Sequence, residues 1–234
     1  MTGQRPSDAG TSALWFNPPD DEPGGRRVLT RERVVAEALS IIAAGGAQDL
    51  SMRALAARLG VVPGALYRHV RGKEQLHDLV LDAVLGEVDF RADAAAPWSA
   101  RVAALAGRLR AVLEHHPGTA ALLKTRDPLS PTSLALAEAF LAPLLTAGLS
   151  GPEAALAFRL IYDYTLGFAL ADPSSPAEQR LQDTVTRQQL EAFLRALPVD
   201  RFPALAAHGP HAWDADRDKR FAAGLGILLR GLQP

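Results

Sequence analysis

The chain has 234 residues, 48% of them hydrophobic, which is enough for two domains of ordinary size around a substantial core. It has no cysteine, which excludes a disulfide framework and suits a cytoplasmic protein. No apolar run approaches the roughly 18 residues of a membrane span, and the formal net charge of −1 is unevenly spread: nine Arg or Lys stand against four Asp or Glu from Arg26 to Gln75, whereas residues 1–25 and 76–234 each carry a net −3.

Residues 1–25 read as a flexible arm, punctuated by Pro6, Pro18, Pro19, Pro23, Gly24 and Gly25, with an apolar knot at Leu14, Trp15 and Phe16. The acids Asp8, Asp20, Asp21 and Glu22 do not fit the basic start of a signal peptide. Arg26 and Arg27 follow, placed either to lie along a DNA minor groove or to face solvent. Thr30, Glu32 and Arg33 then open an amphipathic helix carrying Val34, Val35, Ala38, Leu39, Ile41 and Ile42, which ends at Gly45-Gly46.

Ser51 is a natural N-cap for a short helix with Leu55, Ala56 and Leu59 in one stripe, and Gly60 tolerates the positive φ of a tight turn. Ala56, four positions earlier, keeps two crossing helices close. Pro63 starts a second helix expected to run through His69, about two turns. With Leu66 and Val70 inward, Gly64, Ala65, Tyr67, Arg68 and His69 fall on the open side, as in a helix that reads a major groove. Leu76, Leu79, Val80, Ala83 and Val84 carry an apolar stripe from Lys73 toward Val88, a linker helix. The positive charge collects on this unit, where it can release counterions from phosphates.

Asp93, Ala94 and Pro97 mark a domain boundary, after which Trp98, Val102, Leu105, Leu109 and Val112 define a helix to His116, stopped by Pro117. Apolar helices follow at 119–125, 132–147, 152–171 and 214–232, with no competing strand pattern. In the helix at 152–171, Phe158, Ile161, Leu166 and their neighbours surround much of the circumference, so burial on more than one face is expected.

The run A-x-x-L-G-V-x-x-x-x-L-Y-x-H-V-x-x-K-x-x-L, from Ala56 to Leu76, resembles the signature of the TetR family of dimeric bacterial repressors. The resemblance implies an all-α fold: an N-terminal three-helix helix-turn-helix domain joined by a linker helix to a C-terminal helical ligand-binding and dimerisation domain. The expected divisions are an arm at 1–25, the DNA-binding domain with linker helix at 26–94, and the ligand-binding domain at 95–234. The resemblance also implies that Arg53 and the stretch Pro63, Gly64, Ala65, Tyr67, Arg68 and His69 face an operator, with Tyr67, His69 and Lys73 meeting phosphates. Ser51, Arg26 and Arg27 complete the expected DNA contacts. Gly64 and Ala65 replace a proline and a threonine of the best-studied tetracycline repressors, so no operator sequence is implied.

Residues 98–171 also resemble the regulatory domain of the tetracycline-repressor subgroup, with Gly118, Thr125, Arg126, Thr165, Leu166 and Gly167 matching. Those repressors hold a magnesium-tetracycline chelate partly through a histidine and a glutamate; here Leu122 and Ala171 stand in the matching places, so no metal or other cofactor is expected. What remains is an apolar cavity of Leu122, Phe140, Phe158, Tyr162 and Phe168, with His116, Thr125, Arg126 and Asp163 as polar contacts. The resemblance further implies a four-helix dimer interface carrying Leu160, Tyr164, Phe221, Leu225, Leu228 and Leu229, the alternative for these residues being an intramolecular core.

The expected function is a dimeric transcriptional regulator, a repressor that binds an inverted-repeat operator in double-stranded DNA and is released by an apolar small-molecule effector. The alternative is a DNA-binding regulator or activator without an effector. No catalytic residues are expected: there is no G-x-S-x-G, no P-loop and no dinucleotide fingerprint in the right context. His115-His116, and His208 and His211 with Asp214, lack the tight ligand set of a zinc site.

Overall fold

The Thr30 hydroxyl accepts a hydrogen bond from the Arg33 amide at 3.3 Å, and this cap, with Glu32 in the first turn, opens α1 (Arg31–Gly45). The computed structural model describes residues 29–91, 93–126, 129–171, 183–212 and 216–232, so the arm and the pair Arg26 and Arg27 lie outside the described residues. Val34, Ala38, Ile41 and Ile42 of α1 are buried, a spacing of three and four that turns one face into the core. Ser51 caps α2 (Met52–Leu59) by accepting from the Ala54 amide, and Gly60 closes it at φ 69° and ψ 31°. In that left-handed turn the Gly60 and Val61 amides reach the Ala57 and Ala56 carbonyls, so the helix end is satisfied by backbone alone.

α3 (Pro63–Leu66) starts on its proline. It is shorter than the two turns expected: regular helix ends at Leu66, and residues 67–69 tighten into a turn in which the His69 and Val70 amides both reach the Leu66 carbonyl. Leu66 and Val70 are buried, so the inward face persists through the turn.

α4 (Lys73–Leu85) is the linker helix. It packs against α1 and also against α5 (Trp98–His115), α6 (Thr119–Thr125) and α7 (Pro131–Thr146), which is why Leu76, Leu79, Val80, Leu81, Val84 and Leu85 are all buried. α7 begins with reciprocal capping between Ser130 and Ser133 and packs on α5. Between α5 and α6, Gly118 adopts φ 86°, and a Cβ there would stand 3.0 Å from the Ile42 Cγ2 methyl and 3.2 Å from the Ile42 carbonyl. The start of α6 therefore lies directly on the last turn of α1. α8 (Gly151–Leu170) buries Ala154, Ala157, Ile161, Tyr162, Thr165 and Leu166 in one stripe, while Leu156 and Leu160 are 73% and 47% exposed. Within the chain, one broad side of this helix is covered rather than several faces.

The described residues fall into two compact units divided between Leu166 and Gly167, inside α8; the 94/95 boundary expected from sequence falls within the first unit. In the second unit, Asp183 caps α9 (Thr184–Arg195), which packs on α10 (Pro203–Ala212) through the buried Leu194. Asp216 caps α11 (Arg217–Gly231). The Phe221 ring meets Phe168 edge-on at 5.2 Å, and the Arg217 guanidinium donates to the Phe168 carbonyl. The sequence pattern assigns no helix to α9 or α10. Leu194 is the buried apolar anchor of α9, and the Gly209-Pro210 pair inside α10 reads as a break. Among the described residues there are eleven helices and no strand, and none of these helices is long and apolar enough to cross a membrane.

His77 lies on the buried side of α4, and neither ring nitrogen has a hydrogen-bond partner among the described residues. Burial, joined by the charges of Lys73 and Arg126, holds its pKa below the ordinary 6.5 despite Glu74 and Asp78 nearby. The unfolded chain thus takes up this proton first, so its protonation leaves stability nearly unchanged at neutral pH and above and lowers it progressively as pH falls below about 6.5. Urea unfolding at about pH 7.5 and about pH 5.5 should show that acid loss in the parent protein and a smaller loss in His77→Leu. At the higher pH the variant is expected to be neutral or stabilised, because it removes two unpaired buried nitrogens. Identical acid losses in the two proteins would contradict this assignment.

Candidate nucleic-acid interface and regulatory groove

The turn at Gly60 and the proline start of α3 place a short, open surface at one end of the first unit. Ser51, Arg53, Pro63, Gly64, Tyr67 and Arg68 are exposed, Ala65, His69 and Lys73 are half-buried, and Leu66 and Val70 anchor the turn from beneath. Tyr67 is 56% exposed, so its ring and hydroxyl are presented to solvent rather than spent on the core. The Ser51 hydroxyl is committed to capping α2 at 3.1 Å from the Ala54 nitrogen, which positions the start of that helix. Val62 was absent from the sequence-based site, yet it is 71% exposed beside Pro63. The signal was its place just outside the Leu66 and Val70 stripe, where no inward position is left for it.

The acidic face of the linker helix departs from the sequence expectation. Glu74, Asp78 and Asp82 recur every fourth residue along α4, which aligns three carboxylates on one face. Arg126, just past α6, donates from Nε and Nη2 to Asp78 Oδ1 at 3.2 and 2.8 Å and from Nη1 to Glu74. The Thr132 amide, at the start of α7, reaches Asp82 at 3.3 Å. Beyond the helix, His116 Nε2 lies 2.8 Å from Glu87 Oε2. Hydrogen bonds from Arg126, reinforced by its charge, hold the Glu74 carboxyl below the usual range. Arg126 and His116, expected as polar contacts of a ligand cavity, are placed here against the linker helix and against Glu87 just past its end.

A groove of about 240 Å3 opens between the end of α4, the first turns of α7 with Leu129 before it, and α8, and its lining includes Leu85, Leu129, Leu134, Ala137, Phe158 and Tyr162. Ser133 and Arg159 are its remaining polar members along with the Tyr162 hydroxyl. Phe140 lies fully buried behind it, 5.6 Å from the Phe158 ring, which in turn is 5.8 Å from Tyr162. Of the expected cavity residues, Phe158 and Tyr162 line this groove. Leu122 is buried in α6, and Thr125 turns its hydroxyl to the Leu122 carbonyl. Asp163 is on the surface, paired with Arg159 at 3.2 Å, and Phe168 belongs to the second unit, against Phe221.

The expected self-association residues divide in the same way. Leu160 is exposed and Tyr164 and Leu228 are half-buried, but Phe221, Leu225 and Leu229 are buried within the single chain, leaving Ile227 at 62% as the large exposed apolar group of α11. Among the described residues no group of three or more His, Asp or Glu could hold a metal ion; the side chain of His211 and Asp214 lie outside the described residues.

A basic helix-turn-helix joined through one helix to a helical bundle defines a DNA-binding regulator with a regulatory domain. Residues 34–80 match the family of bacterial regulatory proteins, tetR family, and residues 92–234 match the tetracyclin repressor-like C-terminal domain. The chain belongs to the tetR family and is a helix-turn-helix, DNA-binding transcriptional regulator, not an enzyme. It is 34% identical over 227 residues to an HTH-type transcriptional regulator of Saccharopolyspora erythraea, covering 97% of this chain and 93% of that protein. It is 32% identical over 225 residues to the HTH-type transcriptional repressor DrrR1 of Streptomyces coeruleorubidus, covering 94% and 83%. The crystal structure of the Streptomyces coelicolor TetR family protein ActR in complex with actinorhodin is similar with a TM-score of 0.76 and 34% identity, covering 88% of this chain and 96% of that one.

The Arg126 tie is open to direct measurement. Arg126 and Asp78 are only 23% and 22% exposed, so removing the guanidinium leaves a partly buried carboxylate unpaired, whereas the 75% exposed Glu74 adds little. Arg126→Met is expected to lower the free energy of urea unfolding by about 1–3 kcal/mol, and an unchanged midpoint would show that the cluster contributes nothing.

Proposed function

We propose that this protein is a homodimeric cytoplasmic repressor that binds an inverted-repeat operator through its helix-turn-helix and leaves DNA when a mostly apolar small molecule occupies the groove beside Phe158 and Tyr162. The observation that carries the DNA part is the exposed surface of Arg53, Pro63, Gly64, Tyr67 and Arg68 on a segment with a net charge of +5 from Arg26 to Gln75. Gly64, without a side chain, lets the backbone of α3 come close to base edges. Val62 suits a thymine methyl, and Tyr67, His69 and Lys73 suit phosphates. A turn and a helix this short recognise few base pairs. Two copies about 34–36 Å apart read two half-sites one helical turn apart, and the palindrome follows from their two-fold symmetry.

The effector part rests on the groove and its neighbours. A ligand there touches Leu85, the last residue of the linker helix, and Leu129, three residues from the Arg126 tie. It therefore has the means to favour a different setting of α4, and through it of Lys73 and α3, provided it binds that setting more tightly. The complex of ActR with actinorhodin and the description of DrrR1 as a repressor support the same reading for this chain. Self-association is assigned to the exposed apolar groups Leu156 and Leu160 of α8 rather than to the buried Phe221, where a charge would meet a packed apolar site.

Selection from random duplexes, followed by footprinting, tests the DNA reading and should return a palindrome. Tyr67→Ala should weaken binding to that palindrome by about 1 kcal/mol or more with the dimer intact, as for a lost hydrogen bond to a charged phosphate. Leu156→Asp combined with Leu160→Asp should yield folded monomers in analytical ultracentrifugation with operator affinity reduced by about a hundredfold or more, since half-sites are then bound singly. A dimer that survives both charges places the interface elsewhere.

A further inference from the structure

From Ser51 to Gln75, across α2, the turn and α3, the chain carries Arg53, Arg58, Arg68, Arg71 and Lys73 but a single carboxylate, Glu74. That carboxylate follows Lys73 directly and is exposed, yet it is bonded to the Arg126 guanidinium, which arrives from the end of α6. Resting on the DNA reading above, we propose that Arg126 is a positioning residue of the DNA interface: without touching DNA it sequesters the one acid of the helix-turn-helix, and its withdrawal releases that acid toward Lys73, Arg71 and the phosphates.

The guanidinium is fixed at several points on the first turns of α4. Nη1 donates to the Glu74 carboxylate, Nη2 reaches the Glu74 carbonyl at 3.4 Å, and Nε and Nη2 donate to Asp78 Oδ1 at 3.2 and 2.8 Å. An exposed pair of Arg126 with Glu74 alone is weakly held, but the half-buried Asp78 keeps the cation beside it. Glu74 stays ionised there, since hydrogen bonds from Arg126 and then its charge favour the carboxylate. Its neighbours are cations: Arg71 is exposed with its amide held by Gln75 Oε1 at 2.6 Å, and Lys73 is half-buried at the first position of α4.

Released from Arg126, the carboxylate acts against DNA in two ways. It repels phosphates that come within the Debye length of about 8 Å, and it pairs with Lys73 and Arg71, which then release fewer counterions from the duplex. Held by Arg126, it does neither. Leu129, three residues past Arg126, lines the effector groove, so a ligand that shifts this segment alters the charge presented at the reading turn even where the recognition helices keep their spacing. Arg126 therefore acts both as an attachment of the linker and as the keeper of one acid at the DNA surface.

Anisotropy titrations of the full chain with the selected palindrome, at about 50 and about 300 mM KCl, separate this role from simple attachment. Arg126→Met should weaken binding by about tenfold at the lower salt and by less at the higher, because the loss is electrostatic. Glu74→Gln should gain at most about twofold in the parent but at least about fivefold in the Arg126→Met background, where the acid is loose. A linker merely loosened by the lost attachment is not rescued by Glu74→Gln. Arg126→Lys, which keeps the charge and gives up the fork, should bind within about threefold of the parent while its urea midpoint falls. Arg126→Gln takes the place of Arg126→Met in every comparison if the latter does not fold. Binding by Arg126→Met equal to that of the parent, or a Glu74→Gln effect of the same size in both backgrounds, overturns the sequestration and leaves the palindrome reading standing; a parent protein that selects no palindrome ends both.

Discussion

One helix has to satisfy two neighbours at once. The apolar side of α4 is buried, with Leu76, Val80 and Val84 at zero exposure, and its acidic face is hydrogen-bonded to Arg126 and to the Thr132 amide. A hydrogen-bonded helix of 13 residues does not bend easily, so Lys73 and Leu85 move as the ends of a rod separated by roughly 18 Å. Lys73 borders the DNA-reading turn and Leu85 borders the groove. Any displacement accepted at one end is delivered to the other. Gly118, pressed onto Ile42, adds a second point at which α6 touches the reading unit directly.

This constraint explains why the groove is so poor in polar groups. The residues best suited to orient a ligand, Arg126 and His116, are already occupied with Glu74, Asp78 and Glu87. Drawing them into the groove would cost the linker its attachment. In the proposed reading a ligand gains its affinity from the apolar walls and acts on the attachment from beside it, through Leu85 and Leu129, rather than competing for the same charges. The buried imidazole of His77, two turns before Leu85, has no hydrogen-bond partner among the described residues, a cost that the apolar burial along this side of the helix offsets.

The residues expected to join two copies show why apolar pattern alone does not separate an interface from a core. Phe221, Leu225 and Leu229 recur at helical spacing and are buried within one chain; Leu156, Leu160 and Ile227 have the same chemistry and remain exposed. Burial against one's own chain and burial against a partner impose the same demand on a side chain. Only the positions left open after folding are available to a second copy.

Much of the fold was legible because it rests on local rules. Thr30, Ser51, Pro63 and Gly60 announce helix starts and a stop through hydroxyl capping, a missing amide and a left-handed turn, each decided within four residues. The inward position of Leu66 and Val70, and with it the outward face of the reading turn, follows from the helical period. α9 and α10 were not legible, because Gly209-Pro210 interrupts the pattern and Leu194 finds its partner only across the hairpin. The partners of the charges were beyond reach as well: Arg126 is 48 residues from Asp78 and His116 is 29 from Glu87. Chain-local preferences therefore determined the helices and the DNA-reading turn, whereas tertiary packing alone decided which cations hold the linker and which aromatics face the groove, since such pairings depend on distances in space that no spacing along the chain encodes.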